Sequence, residues 1–172
     1  MVMGSIIDLC QNNRQFLKWQ GPLDQFLAAM PEEWHWDFFI YMDNAKDCIE
    51  LFAITVDDQI VSGGMVFKGL PPEMKIFERE VEHYPENGYL YIGFLFVVPE
   101  YRGQDIGSTW LECIRALYGE KGFWLTVEEP GLVGFYEKNG FKWTSTLKRG
   151  PIIEELLILE PLKHMGVEKA TC

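Results

Sequence analysis

The sequence predicts a single α+β domain, and three observations support this class. From residue 48 onward, segments of strand and helix character follow one another in the order β-β-β-α-β-α-β-β. The stretch from Tyr89 to Val98 is almost continuously apolar and aromatic, which is typical of a central strand covered on both faces. With 172 residues, 48% of them hydrophobic, the chain has enough apolar material for one core.

The chain up to about Lys46 is predicted to be helical or irregular. Pro22 and Pro31 each stand at the start of an amphipathic segment, and the second segment runs through Trp34 and Phe38. No strand is expected in this part of the chain.

A β-hairpin is predicted next, from Ile49 to Val56 and from Ile60 to Phe67, because both runs are rich in β-branched and aromatic residues and a short polar turn joins them. The link from Gly69 to Gly88 carries three prolines and five glutamates and is too long for a simple connection. Two interpretations stay open, a substrate-side flap and a solvated insertion, and we favour the insertion.

Pro99 ends the central strand, and a helix follows. One face of this helix is predicted to carry Ile106, Trp110, Cys113, Ile114 and Leu117, at spacings of three and four. A buried strand, a short helix and two further strands complete the domain: Phe123–Val127, Gly131–Lys138, Phe141–Leu147 and Glu154–Leu159. The tail after His164 is expected to be loose.

The composition excludes some functions. The formal charge of −11 and the absence of a Lys/Arg cluster argue against nucleic-acid binding, whereas an acidic surface is compatible with a cationic substrate. No signal peptide and no membrane span are recognisable, so we expect a cytoplasmic protein. The four cysteines have no metal-site spacing, and we expect free thiols and no bound metal: Cys10, Cys48, Cys113 and Cys172.

The most informative stretch is the turn from Glu100 to Gly107, which follows the central strand and leads into a helix. Such a turn directs unpaired backbone N–H groups and the positive end of the helix dipole at one point, and this arrangement suits a pyrophosphate. Glycine at Gly103 and Gly107 lets the backbone approach such a ligand.

Two motifs resemble those of the GNAT superfamily of N-acetyltransferases. The acyl-CoA loop of that family, R/Q-x-x-G-x-G/A after V-x-P, is matched from Val97 to Gly107, and its F/L-Y-E-K-x-G-F motif is matched from Phe135 to Phe141. The resemblance covers about residues 48–160. It implies a mixed, largely antiparallel sheet that opens near Val97 and has helices on both faces. Residues 1–172 would form one acyltransferase domain, with an acceptor-side helical region (1–47), a sheet core (48–162) and a loose tail (163–172).

The resemblance also implies an activity, the direct transfer of an acetyl group from acetyl-CoA to a primary amine. Tyr136 matches the usual proton donor for the leaving thiolate. Main-chain groups of Phe96 and Val97 would pair with the pantetheine arm, and Val98 ends the same strand. Backbone amides along the loop would hold the pyrophosphate of coenzyme A: Arg102, Gly103, Gln104, Asp105, Ile106, Gly107 and Ser108.

The sequence departs from the family pattern in three places. Asp105 stands where the family usually has glycine, and we expect its carboxylate to point away from the pyrophosphate. Glu129 stands where many relatives carry an asparagine that helps to hold the pantetheine arm. The central strand contains no carboxylate, so the general base stays open among Glu128, Glu129, His83 and a water chain.

The acceptor is not determined by the sequence. Trp34, His35 and Trp36 are candidates for shaping its pocket, since aromatic rings bind apolar bodies and cations. A polyamine, an aminoglycoside-like drug, an amino acid and a protein N-terminus are all compatible, and the acidic composition favours a cationic small molecule. The rival class is a non-catalytic acyl-CoA-binding sensor. A nucleotide-binding regulator is disfavoured because no phosphate-loop motif is present. A homodimer is compatible with the sequence.

Overall fold

The computed structural model describes residues 6–9 and 13–162. Its strands form one eight-stranded sheet in the order β1-β2-β3-β4-β5-β6-β8-β7. The strands are β1 Ile6–Asp8, β2 Arg14–Lys18, β3 Ile49–Val56, β4 Gln59–Phe67, β5 Leu90–Val97, β6 Phe123–Val127, β7 Lys142–Arg149 and β8 Ile152–Leu159. The helices are α1 Leu23–Ala29, α2 His35–Ala45, α3 Glu78–Val81, α4 His83–Glu86, α5 Ile106–Tyr118 and α6 Val133–Lys138. The predicted order of main elements from residue 48 is confirmed.

The sheet is mixed and largely antiparallel, as predicted. Among the strands of residues 6–9 and 13–162, only β5 and β6 run parallel, and they pair at two positions, Leu90 with Phe123 and Tyr91 with Trp124. Beyond Tyr91 the two strands separate. The opening therefore begins at Ile92, earlier than the position near Val97 that the motif implied.

The predicted hairpin between β3 and β4 is confirmed, with a tighter turn than expected. Asp57 and Asp58 form a two-residue turn with φ of 48° and 64°, and Gln59 already belongs to β4. Positive φ at both central positions matches the right-handed twist of the flanking strands, and aspartate tolerates this region better than most residues.

The prediction that the chain up to Lys46 lacks strands is wrong. β1 and β2 extend the sheet beyond β3, and Phe16 of β2 is fully buried. β2 reads Arg-Gln-Phe-Leu-Lys and buries this one side chain fully, so its pattern gives little strand signal. Pairing with β3, a tertiary effect, decides its conformation.

One face of the sheet is covered by α5 and α6. Trp110 of α5 is fully buried, and its Nε1 donates a hydrogen bond to the Phe52 carbonyl at 3.1 Å. Leu117 was predicted on the buried face but is 39% exposed; in this last turn of α5 it is Tyr118 that packs against the sheet, through Phe52 and Phe123.

The other face is covered by α1, α2 and the link between β4 and β5. Met74, Phe77 and Val81 of this link are buried in the same cluster as Phe38 and Tyr41 of α2. The interpretation of the link as a solvated insertion is therefore wrong. In the sequence, the three apolar residues that anchor the link stand among glutamates, so the segment has a polar pattern.

Two further predictions are settled in part. Cys48 and Cys113 are free thiols, as expected, whereas Cys10, Cys172 and the tail after His164 lie outside the described residues. None of the helices within 6–9 and 13–162 has both the length and the apolar character that crossing a bilayer requires.

Gly64 of β4 allows Trp110 to approach the sheet. A Cβ at Gly64 would lie 2.5 Å from Trp110 Cζ2 and 2.8 Å from Cη2, and this buried ring has no free space to move into. We expect Gly64→Ala to lower the free energy of unfolding by about 1–3 kcal/mol, measured by urea denaturation. Gly134→Ala, in α6 with no neighbour within 4 Å, is the matched control and should be neutral or stabilising. Equal losses in both variants would contradict this packing argument.

Candidate active site

The opening between β5 and β6 is accompanied by a bulge in β5. The register with β4 shifts between Gly63 and Met65, and Phe94 has a φ of +54°, which is rare for an aromatic residue. The Phe94 ring packs edge-on against Tyr41 at 5.2 Å and Phe38 at 5.5 Å. These contacts hold the strained residue in place, and such strain is frequent at functional sites.

A cleft of about 500 Å³ lies at this opening. Its walls come from both sides of the sheet. The segment around α2, the link and β8 contribute acidic side chains to the walls. Strands β5 and β6 contribute the segments that follow the point where they separate, and α6 contributes Tyr136. The lining includes Glu33, Trp34, Asp37, Glu73, Tyr91, Gly93, Phe94, Thr126, Glu128, Glu129, Leu132, Tyr136 and Glu154.

The cleft is strongly acidic. Among the described residues, no Lys, Arg or His lines it, and six carboxylate side chains do: Glu33, Asp37, Glu73, Glu128, Glu129 and Glu154. Within the described residues, the three salt bridges involve other carboxylates. Also within the described part of the chain, no group of three or more His, Cys, Asp or Glu side chains could hold a metal ion. Several of the carboxylates lie close enough to repel one another, since Asp37 and Glu154 act on Glu73, and Glu128 acts on Glu154.

Two of these carboxyl groups are perturbed. Burial raises the pKa of Glu73 to about 7; contact with Tyr41 opposes this shift, and repulsion from Asp37 and Glu154 adds to it. The Glu73 side chain is solvent-accessible at the cleft, but surrounding protein still replaces part of its hydration. Burial also raises the pKa of Glu154, with Thr126 opposing and Glu128 adding to the shift.

Tyr136 is 8% exposed and lines the cleft from the face that carries α5 and α6. Its ring packs against Phe135 at 5.0 Å and Phe141 at 5.6 Å. Burial raises the pKa of Tyr136 above its usual value, so the phenol is neutral and keeps its proton at neutral pH.

The loop before α5 has the geometry expected of an anion-binding turn. Gly103 has a φ of 76° and Asp105 a φ of 58°, and the chain enters α5 directly after Asp105. Gly107 fits closely against the Phe135 ring, since a Cβ there would lie 3.1 Å from Phe135 Cζ. The buried Ser108 Oγ has no hydrogen-bond partner among the described residues. The first N–H groups of α5 and the Ser108 hydroxyl therefore lie together in the first turn of this helix.

Two side chains hold the loop from outside. Asp105 forms an exposed ion pair with Lys138 of α6, with Oδ1 and Nζ 3.3 Å apart, and makes no side-chain cap of α5. The Asp105 carboxylate is thus directed to solvent and to a cation. Arg14 of β2 donates from Nη2 to Gln104 Oε1 at 2.8 Å.

The end of β5 presents only some of its main-chain groups to the opening. Val98 N–H donates to Val61 O, and Phe96 O accepts from the Ser62 hydroxyl at 2.7 Å, so both residues face β4. By the alternation of a strand, Val97 faces the open edge. Its carbonyl accepts from Arg102 Nε at 3.1 Å.

Some of the residues predicted to shape the acceptor pocket or to act as the base line the cleft, and others lie outside it. Trp34 lines the cleft and packs edge-on against Phe94 at 6.1 Å, whereas His35 bonds to the Met30 carbonyl and Trp36 is 75% exposed outside the lining. Glu128 and Glu129 line the cleft, but His83 does not.

Several cleft residues were missed by sequence reasoning. Glu33, Asp37, Glu73 and Glu154 lie in separate parts of the chain that only the fold brings together. A weak signal existed for Glu73, since it follows Pro71-Pro72 and precedes the apolar Met74. That pattern suggests an ordered turn.

Comparison with known proteins agrees with this geometry. Residues 49–143 match a family model described as acetyltransferase (GNAT) domain. The search of curated protein sequences gives no match.

Solved structures share the fold at low identity. The ribosomal-protein-S18-alanine N-acetyltransferase from Escherichia coli is 16% identical with a TM-score of 0.62, over 91% of this chain and 97% of that one. A GNAT family acetyltransferase from Elizabethkingia anophelis with acetyl-CoA bound is 15% identical with a TM-score of 0.54, over 87% and 99%. An IAA acetyltransferase from Bacillus cereus is 13% identical with a TM-score of 0.56, over 86% and 99%.

The perturbed Glu73 predicts a pH dependence of stability. Its folded-state pKa of about 7 lies above the ordinary value of 4.5, so the folded protein binds this proton more tightly than the unfolded chain. The stabilisation that the bound proton provides at low pH is lost as pH rises through this window. We expect Glu73→Gln to have a higher Tm than the wild type at pH 8, with the difference vanishing towards pH 4.5, measured by scanning fluorimetry. A constant difference across this range would contradict the prediction.

Proposed function

The chain belongs to the GNAT acetyltransferase family, and we propose that it transfers an acetyl group from acetyl-CoA to a primary amine on a cationic small molecule. One observation carries the proposal: a neutral, buried tyrosine lines an acidic cleft at the point where β5 and β6 separate. The cleft thus combines a proton donor with an environment that attracts cations.

The donor side is proposed to lie at the start of α5. Backbone amides from Arg102 to Ser108 would hold the pyrophosphate, and the unpartnered Ser108 hydroxyl supports this use of the loop. Val97 is the residue at the end of β5 best oriented to pair with the pantetheine arm, because Phe96 and Val98 face β4. Glu129, at the cleft, would lie beside that arm.

The chemistry needs no metal. An uncharged amine attacks the thioester carbonyl, a C–N bond forms and the C–S bond breaks. Tyr136 would protonate the departing thiolate, since its raised pKa keeps the proton on the phenol until a strong base develops nearby. The attacking nitrogen gives up a proton, so the phenol is restored over the cycle.

The acidic cleft supports a cationic acceptor. Six carboxylates without a basic partner in the lining would raise the local concentration of an organic cation and repel an anionic one. Because six carboxylates line the cleft, an amine with more than one positive charge suits it better than a monocation.

Asp105 gives some support to a second candidate, a non-catalytic acyl-CoA-binding sensor, since it places a carboxylate at the donor loop. The ion pair of Asp105 with Lys138 offsets part of this negative charge and so weakens the support for the sensor. Turnover measurements separate the two functions.

We expect Tyr136→Phe to lower kcat for amine-dependent thiol release from acetyl-CoA by about 10²–10⁴-fold, because the thiolate loses its proton donor. Acetyl-CoA affinity, measured by calorimetry, should change little. Tyr89→Phe is the matched control, since that hydroxyl bonds Glu160 outside the cleft. Tight acetyl-CoA binding without thiol release on any amine in the wild type would favour the sensor.

Removing the Asp105 charge should strengthen donor binding modestly. We expect Asp105→Asn and Asp105→Gly each to tighten acetyl-CoA binding by about two- to tenfold, because one exposed, partly paired charge near a pyrophosphate contributes on that scale. Both substitutes tolerate the positive φ at this position. The effect should shrink at high salt. A gain far above tenfold, or a loss of affinity, would show that the carboxylate faces the ligand.

A further inference from the structure

We propose that Glu73 is the general base that takes the proton from the acceptor ammonium before attack. This inference rests on the proposed function. Glu73 lies on the link between β4 and β5, and no carboxylate of the central strand is available for the task.

The backbone around Glu73 is firmly anchored. Pro71 and Met74 on either side are buried, and Phe77 and Val81 further along the link are fully buried in the core that includes Tyr41 and Trp124. Prolines at positions 71 and 72 restrict the backbone before it. The Glu73 carboxylate is therefore presented to the cleft from a fixed support, as a base must be.

The surroundings of Glu73 keep it a base of the right strength. Asp37 and Tyr41 of α2, Tyr91 of β5 and Glu154 of β8 are the titratable groups that interact with it. Among the described residues that line the cleft there is no Lys, Arg or His, so contact with the Tyr41 hydroxyl, and not a cation, is what favours the ionised carboxylate there. Its pKa of about 7 places both protonation states within reach at neutral pH, where general bases work best.

Two buried phenols surround the carboxylate. The Tyr41 hydroxyl is fully buried, has no hydrogen-bond partner of good geometry among the described residues, and interacts with Glu73 and Tyr91. Tyr91, 4% exposed, interacts in turn with Glu73, Glu154 and Tyr136. The proposed base and the proposed acid are thus linked electrostatically through one phenol in the cleft wall.

The other cleft carboxylates suit this role less well. Glu154 is buried and interacts with Thr126, so it is less accessible to an incoming amine. Glu33, Asp37, Glu128 and Glu129 are exposed, and so is Glu73, but Glu73 is the one of these five that interacts with both buried phenols, Tyr41 and Tyr91. The other four are better placed to attract the cation than to take its proton.

The proton balance is simple. The acceptor enters as an ammonium and gives one proton to the ionised Glu73, which leaves an uncharged amine. That amine attacks the thioester, and a second proton from its nitrogen replaces the one that Tyr136 delivers to the thiolate. Glu73 returns its proton to solvent through the open cleft. The overall products are the amide, the free thiol of coenzyme A and one proton.

The test is the pH profile of thiol release with a saturating diamine such as putrescine, for the wild type, Glu73→Gln and Glu73→Asp. We expect the wild-type kcat to rise through an apparent pKa near 7. Glu73→Gln should lose about 10²–10³-fold of kcat at pH 7 and recover towards the wild type at high pH, where the amine is already uncharged. Glu73→Asp should retain an intermediate rate. Glu82→Gln, an exposed change in the same link, should match the wild type.

Several outcomes would overturn the proposal. An unchanged kcat with a raised KM in Glu73→Gln would show a purely electrostatic role in binding, and an equal loss of kcat at every pH would show a role other than proton removal. Loss of the acidic limb in Glu154→Gln alone would assign the base there. If the wild type binds acetyl-CoA but releases no thiol with any amine, the proposed function fails, and the assignment of Glu73 fails with it.

Discussion

Beyond Tyr91, strand β5 no longer pairs with β6, and the geometry of the cleft follows from this interruption. A sheet that continued to pair would leave neither a cleft nor an open strand edge. The bulge at Phe94 turns β5 away, and the rings of Phe38 and Tyr41 hold the strained residue in position. The open strand edge at Val97, the cleft and the access of Tyr136 to it all depend on that local distortion.

The two faces of the sheet have different electrostatic characters at the opening. One face presents the start of α5, with its N–H groups and the Ser108 hydroxyl, and this favours an anion. The other presents carboxylates from α2, the link and β8, and this favours a cation. In the proposed reaction, a negatively charged donor and a positively charged acceptor would thus be drawn to opposite sides of one gap in the sheet. This separation would keep the acidic groups away from the phosphates of the donor.

The sequence predicted the turn before α5 and the helix that carries Tyr136 far better than it predicted the carboxylates that line the cleft. The loop before α5 and the segment around Tyr136 are continuous stretches whose backbone conformation depends on local glycine and helix signals. The acceptor cleft is assembled from α2, the link, β6 and β8, and no periodicity in one segment reveals that Glu73 and Glu154 share a wall. β2 was missed for a similar reason, because pairing with β3 decides its conformation. The burial of Met74 and Phe77 was not predicted, because charged residues stand close to both in the sequence.

The uncompensated acidity of the cleft has a consequence for turnover. In the proposed reaction, acetylation would convert an ammonium into a neutral amide, so the product would carry one positive charge fewer than the acceptor. The attraction that would concentrate the acceptor in the cleft would therefore be weaker for the molecule that must leave. The six carboxylates would then favour product release as well as substrate capture, and they would limit inhibition by accumulated product.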